Sequence, residues 1–152
     1  MIAIDLKYIN KSDDKLFSLA QEHYVKLIKP YAKLNVAPIW SVAIEKAQKI
    51  GVAQAQEAYA RAFAAQSSRY SIALSAEGKA LDTAGFAALI ASRPSFCFYI
   101  GGAYGLNRSF CDACDLSVSL SPLTFSQSLA RVVLLEQLYR AFTIGANHPY
   151  NK

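Results

Sequence analysis

The apolar residues of this chain alternate between two periods, the two-residue beat of a β-strand and the roughly 3.6-residue beat of an amphipathic helix, and few folds accommodate that alternation. Short runs suited to strands lie at 2–6, 34–39, 70–75, 96–100 and 116–120, the last alternating cleanly as Leu116-Ser117-Val118-Ser119-Leu120. Pro38 marks the second run as an edge strand or one that ends early. Glu77-Gly78-Lys79 reads as a turn closing the third. Between the runs the pattern turns helical. After Asn10, Lys11, Ser12 and Asp13, which suit an N-cap, Leu16, Leu19, Ala20, His23 and Leu27 recur at helical spacing until Pro30. Residues 45–66 are rich in the helix formers Ala, Gln and Glu, with Gly51 as an interruption. Short helices fit 83–91, closed by Pro94, and 107–114. A long final helix carries Leu129, Val132, Val133, Leu135, Leu138, Tyr139 and Phe142. Strands alternating with helices predict an α/β fold: a mainly parallel sheet with helices on both faces, in a single domain over 1–152.

The 152 residues suffice for one core, and with 53% hydrophobic residues against 18% charged the chain carries an apolar surplus that fills an interior or awaits a partner. No apolar run reaches the roughly 20 residues that cross a bilayer. The first residues read as a strand rather than a signal peptide, so the expected setting is cytoplasmic, with no membrane partner. A net charge of +5 favours polyanions such as nucleic acid, yet a merely solvated basic surface fits equally well. Cys97, Cys111 and Cys114 are an odd number, and Cys111-x-x-Cys114 has no second Cys or His pair to complete a zinc site; His23 and His148 are far away in sequence. They read as small apolar residues, and no metal is expected.

In sheets of this class ligands sit beyond the carboxyl ends of the strands. That singles out the segments after Leu74, after Ile100 and after Leu120. The second begins Gly101-Gly102-x-x-Gly105, where a ligand loop and a plain tight turn both remain open. The third, Ser121-Pro122-Leu123-Thr124-Phe125-Ser126, could offer backbone groups to an adenine ring, or simply lead into a helix capped by Ser126. The tail 147–152 gathers His148, Tyr150 and Lys152, groups suited to stacking on a base and holding phosphate.

In combination these segments are more specific. Ile100-Gly101-Gly102-Ala103-Tyr104-Gly105-Leu106, then the run from Leu116 to Ser121, then Leu123-Thr124-Phe125, then Leu129-Ala130-Arg131 onward to Phe142, then His148-Pro149-Tyr150, resemble the RlmH family of minimal SPOUT-class RNA methyltransferases. The match is specific from about Tyr70 to the C-terminus. The resemblance implies a C-terminal trefoil knot that holds S-adenosyl-L-methionine (AdoMet), a homodimer, and methylation of N3 of a pseudouridine in 23S rRNA, within the large subunit or the 70S ribosome. By that resemblance the cofactor lies against Leu74, Gly102, Ser121, Pro122, Leu123, Thr124, Phe125 and Ser126. Arg131, His148 and Tyr150 are the expected catalytic residues, and Arg140 and Lys152 the RNA-holding ones. Two departures stand out. Relatives carry Pro-His where this chain has Ser126-Gln127, and His where it has Asn151. Three other readings remain at this point: a SPOUT enzyme with another tRNA or rRNA target, a non-catalytic ribosome-binding homologue, and an α/β protein whose glycine loop binds phosphate.

Overall fold

The computed structural model describes residues 1–64 and 68–152. Its strands are β1 (Ile2–Ile9), β2 (Ala32–Ile39), β3 (Tyr70–Ala80), β4 (Ser95–Ile100) and β5 (Leu116–Ser119). Its helices are α1 (Lys15–Ile28), α2 (Val42–Ile50), α3 (Val52–Phe63), α4 (Thr83–Ala91), α5 (Arg108–Ala113) and α6 (Gln127–Gly145). The strands form one sheet in the order β2-β1-β4-β3-β5, and every pairing is parallel. Pro38 fits because β2 is an edge strand, paired only with β1.

Alternation along β4 divides the interior. Phe96, Phe98 and Ile100 join the larger core with Ile28 of α1, Phe86 and Ile90 of α4, and Leu134, Leu135 and Leu138 of α6. Cys97 and Tyr99 point the other way, into a core with Ile44 of α2 and Ala55, Tyr59 and Phe63 of α3. The sheet is therefore covered on both faces, as the sequence predicts. Part of the apolar surplus is spent inside the chain, where Leu134, Leu135 and Leu138 of α6 are all fully buried, while Leu16, Leu19 and Leu129 among others stay exposed.

Among the described residues, five of the six helices start on a side-chain cap. For α1 it is Asp14, one residue past the expected region 10–13, because Asp13 is taken up by Arg131. Asp14, Ser41, Asp82, Asn107 and Ser126 each accept a hydrogen bond from a backbone N–H of the following first turn. Gly51 separates α2 from α3, and the helical run begins at Val42, just after the Ser41 cap. Gln66, the end of the run expected over 45–66, lies outside the described residues.

One boundary differs from expectation. Glu77-Gly78-Lys79 does not end β3. Its pairing with β5 breaks after Leu74↔Val118 and resumes at Lys79↔Val118, so the intervening residues bulge out of the ladder. Gly78 makes this possible: a Cβ there would sit 2.8 Å from the backbone of Ser117 and Val118.

Candidate active site

The three segments singled out by the parallel-sheet argument close around one cavity of about 430 Å³ at the carboxyl edge of β3, β4 and β5. That volume suits a small-molecule ligand. The bulge of β3 supplies Leu74, Ser75, Ala76 and Glu77. The turn after β4 supplies Gly101, Gly102, Gly105 and Leu106. It is tied by the Gly105 N–H donating to the Gly102 carbonyl at 3.0 Å, with Gly105 at φ +70°. Gly102 has no room for a side chain, because a Cβ would lie 2.6 Å from the Tyr59 hydroxyl. Tyr59 in turn donates to Gln48, and Gln56 Nε2 donates to the Tyr104 carbonyl at 2.9 Å, fastening α3 to this turn. The loop after β5 supplies Leu120, Ser121, Leu123, Thr124 and Phe125. It is braced internally by Ser119 Oγ donating to the Ser121 carbonyl and Ser121 Oγ accepting from Leu123 N–H.

Of the residues expected at the cofactor, Leu74, Gly102, Ser121, Leu123, Thr124 and Phe125 line this cavity. Pro122 and Ser126 belong to the same loop but not to the lining; Ser126 instead caps α6. Sequence reasoning missed Gln56, Glu77, Asn107, Arg108, Gln127 and Ala130, all of which line it. The chemistry fits a nucleoside with a polar extension. Apolar walls from Leu74, Ile100, Leu106, Leu120 and Phe125 suit a purine, and the hydroxyls of Ser75, Ser121 and Thr124 suit a ribose. On the α6 side, Gln127 keeps a buried Oε1 with no hydrogen-bond donor among the described residues.

Arg131 sits one turn further along α6 and is fully buried. Both oxygens of Asp13 hold its guanidinium, at 2.6 and 3.0 Å, and the ring of Tyr8 lies 4.0 Å beneath it. Asn10 also donates to Asp13, at 2.6 Å. Asp13 is thus turned inward while Asp14 caps α1. In this chain Arg131 is an internal cation paired across the fold, not a surface group.

The tail reverses at Asn147, φ 56°, and folds back along α6. Tyr150 donates to Glu136 at 2.9 Å and packs edge-on against Tyr139 at 4.7 Å. Arg140 binds Glu136 at 2.7 Å and Asn151 at 3.0 Å, and covers the Tyr150 ring. Burial first, then the bond to Glu136, pushes the Tyr150 phenol up to about 12. His148 accepts from the Tyr150 N–H through Nδ1, and Lys152 is exposed. Glu136 is nine residues from Gln127, about 14 Å along the helix axis. Within one chain, then, six of the residues expected at the cofactor converge, whereas His148, Tyr150, Arg140 and Lys152 lie apart from them along α6.

Cys97 is buried, and Cys111 and Cys114 are half-buried thiols. Burial pushes the Cys114 thiol up to about 11 and raises Cys111 as well. Among the described residues no helix is long and apolar enough to cross a membrane, and no three His, Cys, Asp or Glu side chains could jointly hold a metal.

The sequence model of a family described as predicted SPOUT methyltransferase matches residues 2–151. The chain belongs to the SPOUT methyltransferase family. Within it, the chain is 41% identical to ribosomal RNA large subunit methyltransferase H of Nitratiruptor sp., over the whole of both proteins. It is likewise 41% identical to the protein of that name from Sulfurovum sp., covering 93% of this chain and 94% of the other. At 37%, the same-named protein of Campylobacter lari covers 98% of this chain and 99% of its own. A solved structure titled as a probable methylase family protein from Haemophilus influenzae superposes with a TM-score of 0.58 at 14% identity, over 98% of this chain and 70% of that one. At that identity the likeness speaks for the SPOUT fold alone.

Proposed function

We propose that this SPOUT protein is a cytoplasmic enzyme that methylates N3 of a pseudouridine in 23S rRNA, with AdoMet as methyl donor and the large subunit or the ribosome as substrate. The observation that carries this reading is the closure of the three post-strand segments on one cavity lined by six of the eight expected cofactor residues. The trefoil threading of the C-terminal segment belongs to the same proposal. AdoMet supplies an electrophilic methyl group on a sulfonium, so the protein must mainly align the acceptor and favour loss of its imide proton. Alignment alone can lower such a barrier by about 7–11 kcal/mol.

In this reading Leu74, Ile100, Phe125 and the loop residues Ser121, Leu123 and Thr124 enclose the adenosine. Arg131 acts as a positioning residue: its pairing with Asp13 fixes the turn of α6 that presents Gln127 and Ala130 to the cavity. The tail carries the RNA-facing chemistry. Tyr150, neutral until about pH 12, stacks or donates, His148 accepts the imide proton, and Arg140 and Lys152 hold phosphate. Because the tail lies about 14 Å along α6 from its own cavity, it is supplied by the partner of a homodimer. Leu16, Leu19 and Leu129, which are exposed on α1 and α6, are the apolar residues such an interface would cover.

The test is incubation of the protein with labelled AdoMet and ribosomes from a strain lacking it, followed by mapping of the modified nucleotide. Label at one pseudouridine of 23S rRNA is expected. Label elsewhere, in tRNA for instance, or none at all, overturns the assignment.

A further inference from the structure

Beyond its purine-sized apolar part, the cavity has a second chemistry. Of the residues that line it, only Glu77 and Arg108 are charged, one of each sign. Both also line a side recess of about 240 Å³ between the β3 bulge and α5, which shares Ser75 and Leu106 with the main cavity and is lined in addition by the charged residues Lys79 and Asp112. Neither of the two shared charges is firmly committed inside the protein. Arg108 reaches Asp112 only at 3.7 Å, with both side chains largely exposed, a pairing of little strength. The Glu77 carboxylate makes no hydrogen bond or ion pair among the described residues. The backbone that carries Glu77 is nevertheless held, because Gly78 is pressed on the backbone of Ser117 and Val118 and the Glu77 N–H donates to Ser75 Oγ at 3.3 Å. A bulge of this kind re-aims a side chain that a regular strand would send elsewhere.

We infer that this recess holds the amino-acid end of the methyl donor, Arg108 taking its carboxylate and Glu77 its ammonium. The inference rests on the AdoMet reading above and adds residues to it. A purine and a ribose are neutral and leave these charges unused, whereas a zwitterionic amino acid suits a recess walled by charges of both signs. Lys79 and Asp112 line only the recess; of its charged residues, Glu77 and Arg108 alone line both it and the apolar slot. The sequence hides this role, since Glu77-Gly78-Lys79 looks like an ordinary turn and Arg108 like the exposed start of a short helix.

Calorimetry on the full chain separates the parts of the ligand. AdoMet and S-adenosyl-homocysteine both carry the amino acid; methylthioadenosine lacks it. For Glu77→Gln and Arg108→Gln, the Kd for the first two is expected to rise about threefold to fivefold, as partly exposed charge pairs allow. The Kd for methylthioadenosine should stay within about twofold of the parent value. Equal weakening of all three ligands, or unchanged AdoMet affinity in both variants, overturns the inference. If the parent protein binds none of the three, the methyltransferase reading itself fails. Unchanged AdoMet binding by the variants of a parent that does bind leaves that reading standing and removes only this one. Circular dichroism and unfolding curves establish that the variants fold.

Discussion

Arg131 shows how much one residue depends on partners distant in sequence. A guanidinium with no solvent contact is tolerated because Asp13, 118 residues earlier, meets it with both oxygens and Tyr8 offers its ring face. Removing one partner leaves the other's charge buried and uncompensated. Asp13→Ala is expected to cost about 3–5 kcal/mol in chemical denaturation. Replacing both, as Asp13→Leu with Arg131→Met, should cost clearly less than the sum of the single changes, because no lone charge remains. Additive losses would mean that the pair is not the interaction that matters. The sequence places Arg131 on the last helix, and the family resemblance counts it among the catalytic residues without revealing its partner. Nothing local in Leu129-Ala130-Arg131 announces that its counter-charge waits at the other end of the chain.

At the scale of elements, what was legible is what local physics decides. The alternation of Phe96, Cys97, Phe98 and Tyr99 gives β4 its two buried faces, and Ser126 caps the last helix as its place in the sequence suggests. The three loops of the cavity also followed from strand direction alone. The β3 bulge did not, because its residues are those of a turn and only the neighbouring β5 keeps the strand going. Gly78 is therefore the residue to challenge. Gly78→Val must drive a Cβ into the backbone of Ser117 and Val118, and a loss of about 1–3 kcal/mol is expected together with weaker AdoMet binding. Gly145→Ala is the control. It adds a methyl group in open space at the last residue of α6, and should stabilise by up to about 1 kcal/mol without touching the cavity. If Gly78→Val leaves both thermal stability and AdoMet affinity intact, the bulge does not shape the cavity wall.

Considered whole, the chain keeps a ligand cavity at the start of α6 and an aromatic, cationic tail cluster further along the same helix. Glu136 and Arg140 hold that tail against its own helix, and in the proposed homodimer the tail serves the cavity of the other copy. This geometry makes a prediction that a self-sufficient monomer would not. Truncation after Ala146 should abolish methylation and leave AdoMet binding intact, because none of residues 147–152 lines the cavity. Phe125→Glu, which puts a charge into the apolar wall, should abolish both. Mixed and re-equilibrated in equal amounts, the two inactive proteins should recover about a quarter of parental activity. Half the dimers then pair an intact cavity with an intact tail at one of their two sites, as two-fold symmetry dictates. No recovery, in a mixture shown by mass to contain the hybrid dimer, would mean that each chain completes its own site. A monomeric mass for the parent at micromolar concentration would remove the shared site altogether, and the methyl transfer would have to proceed without a tail in reach.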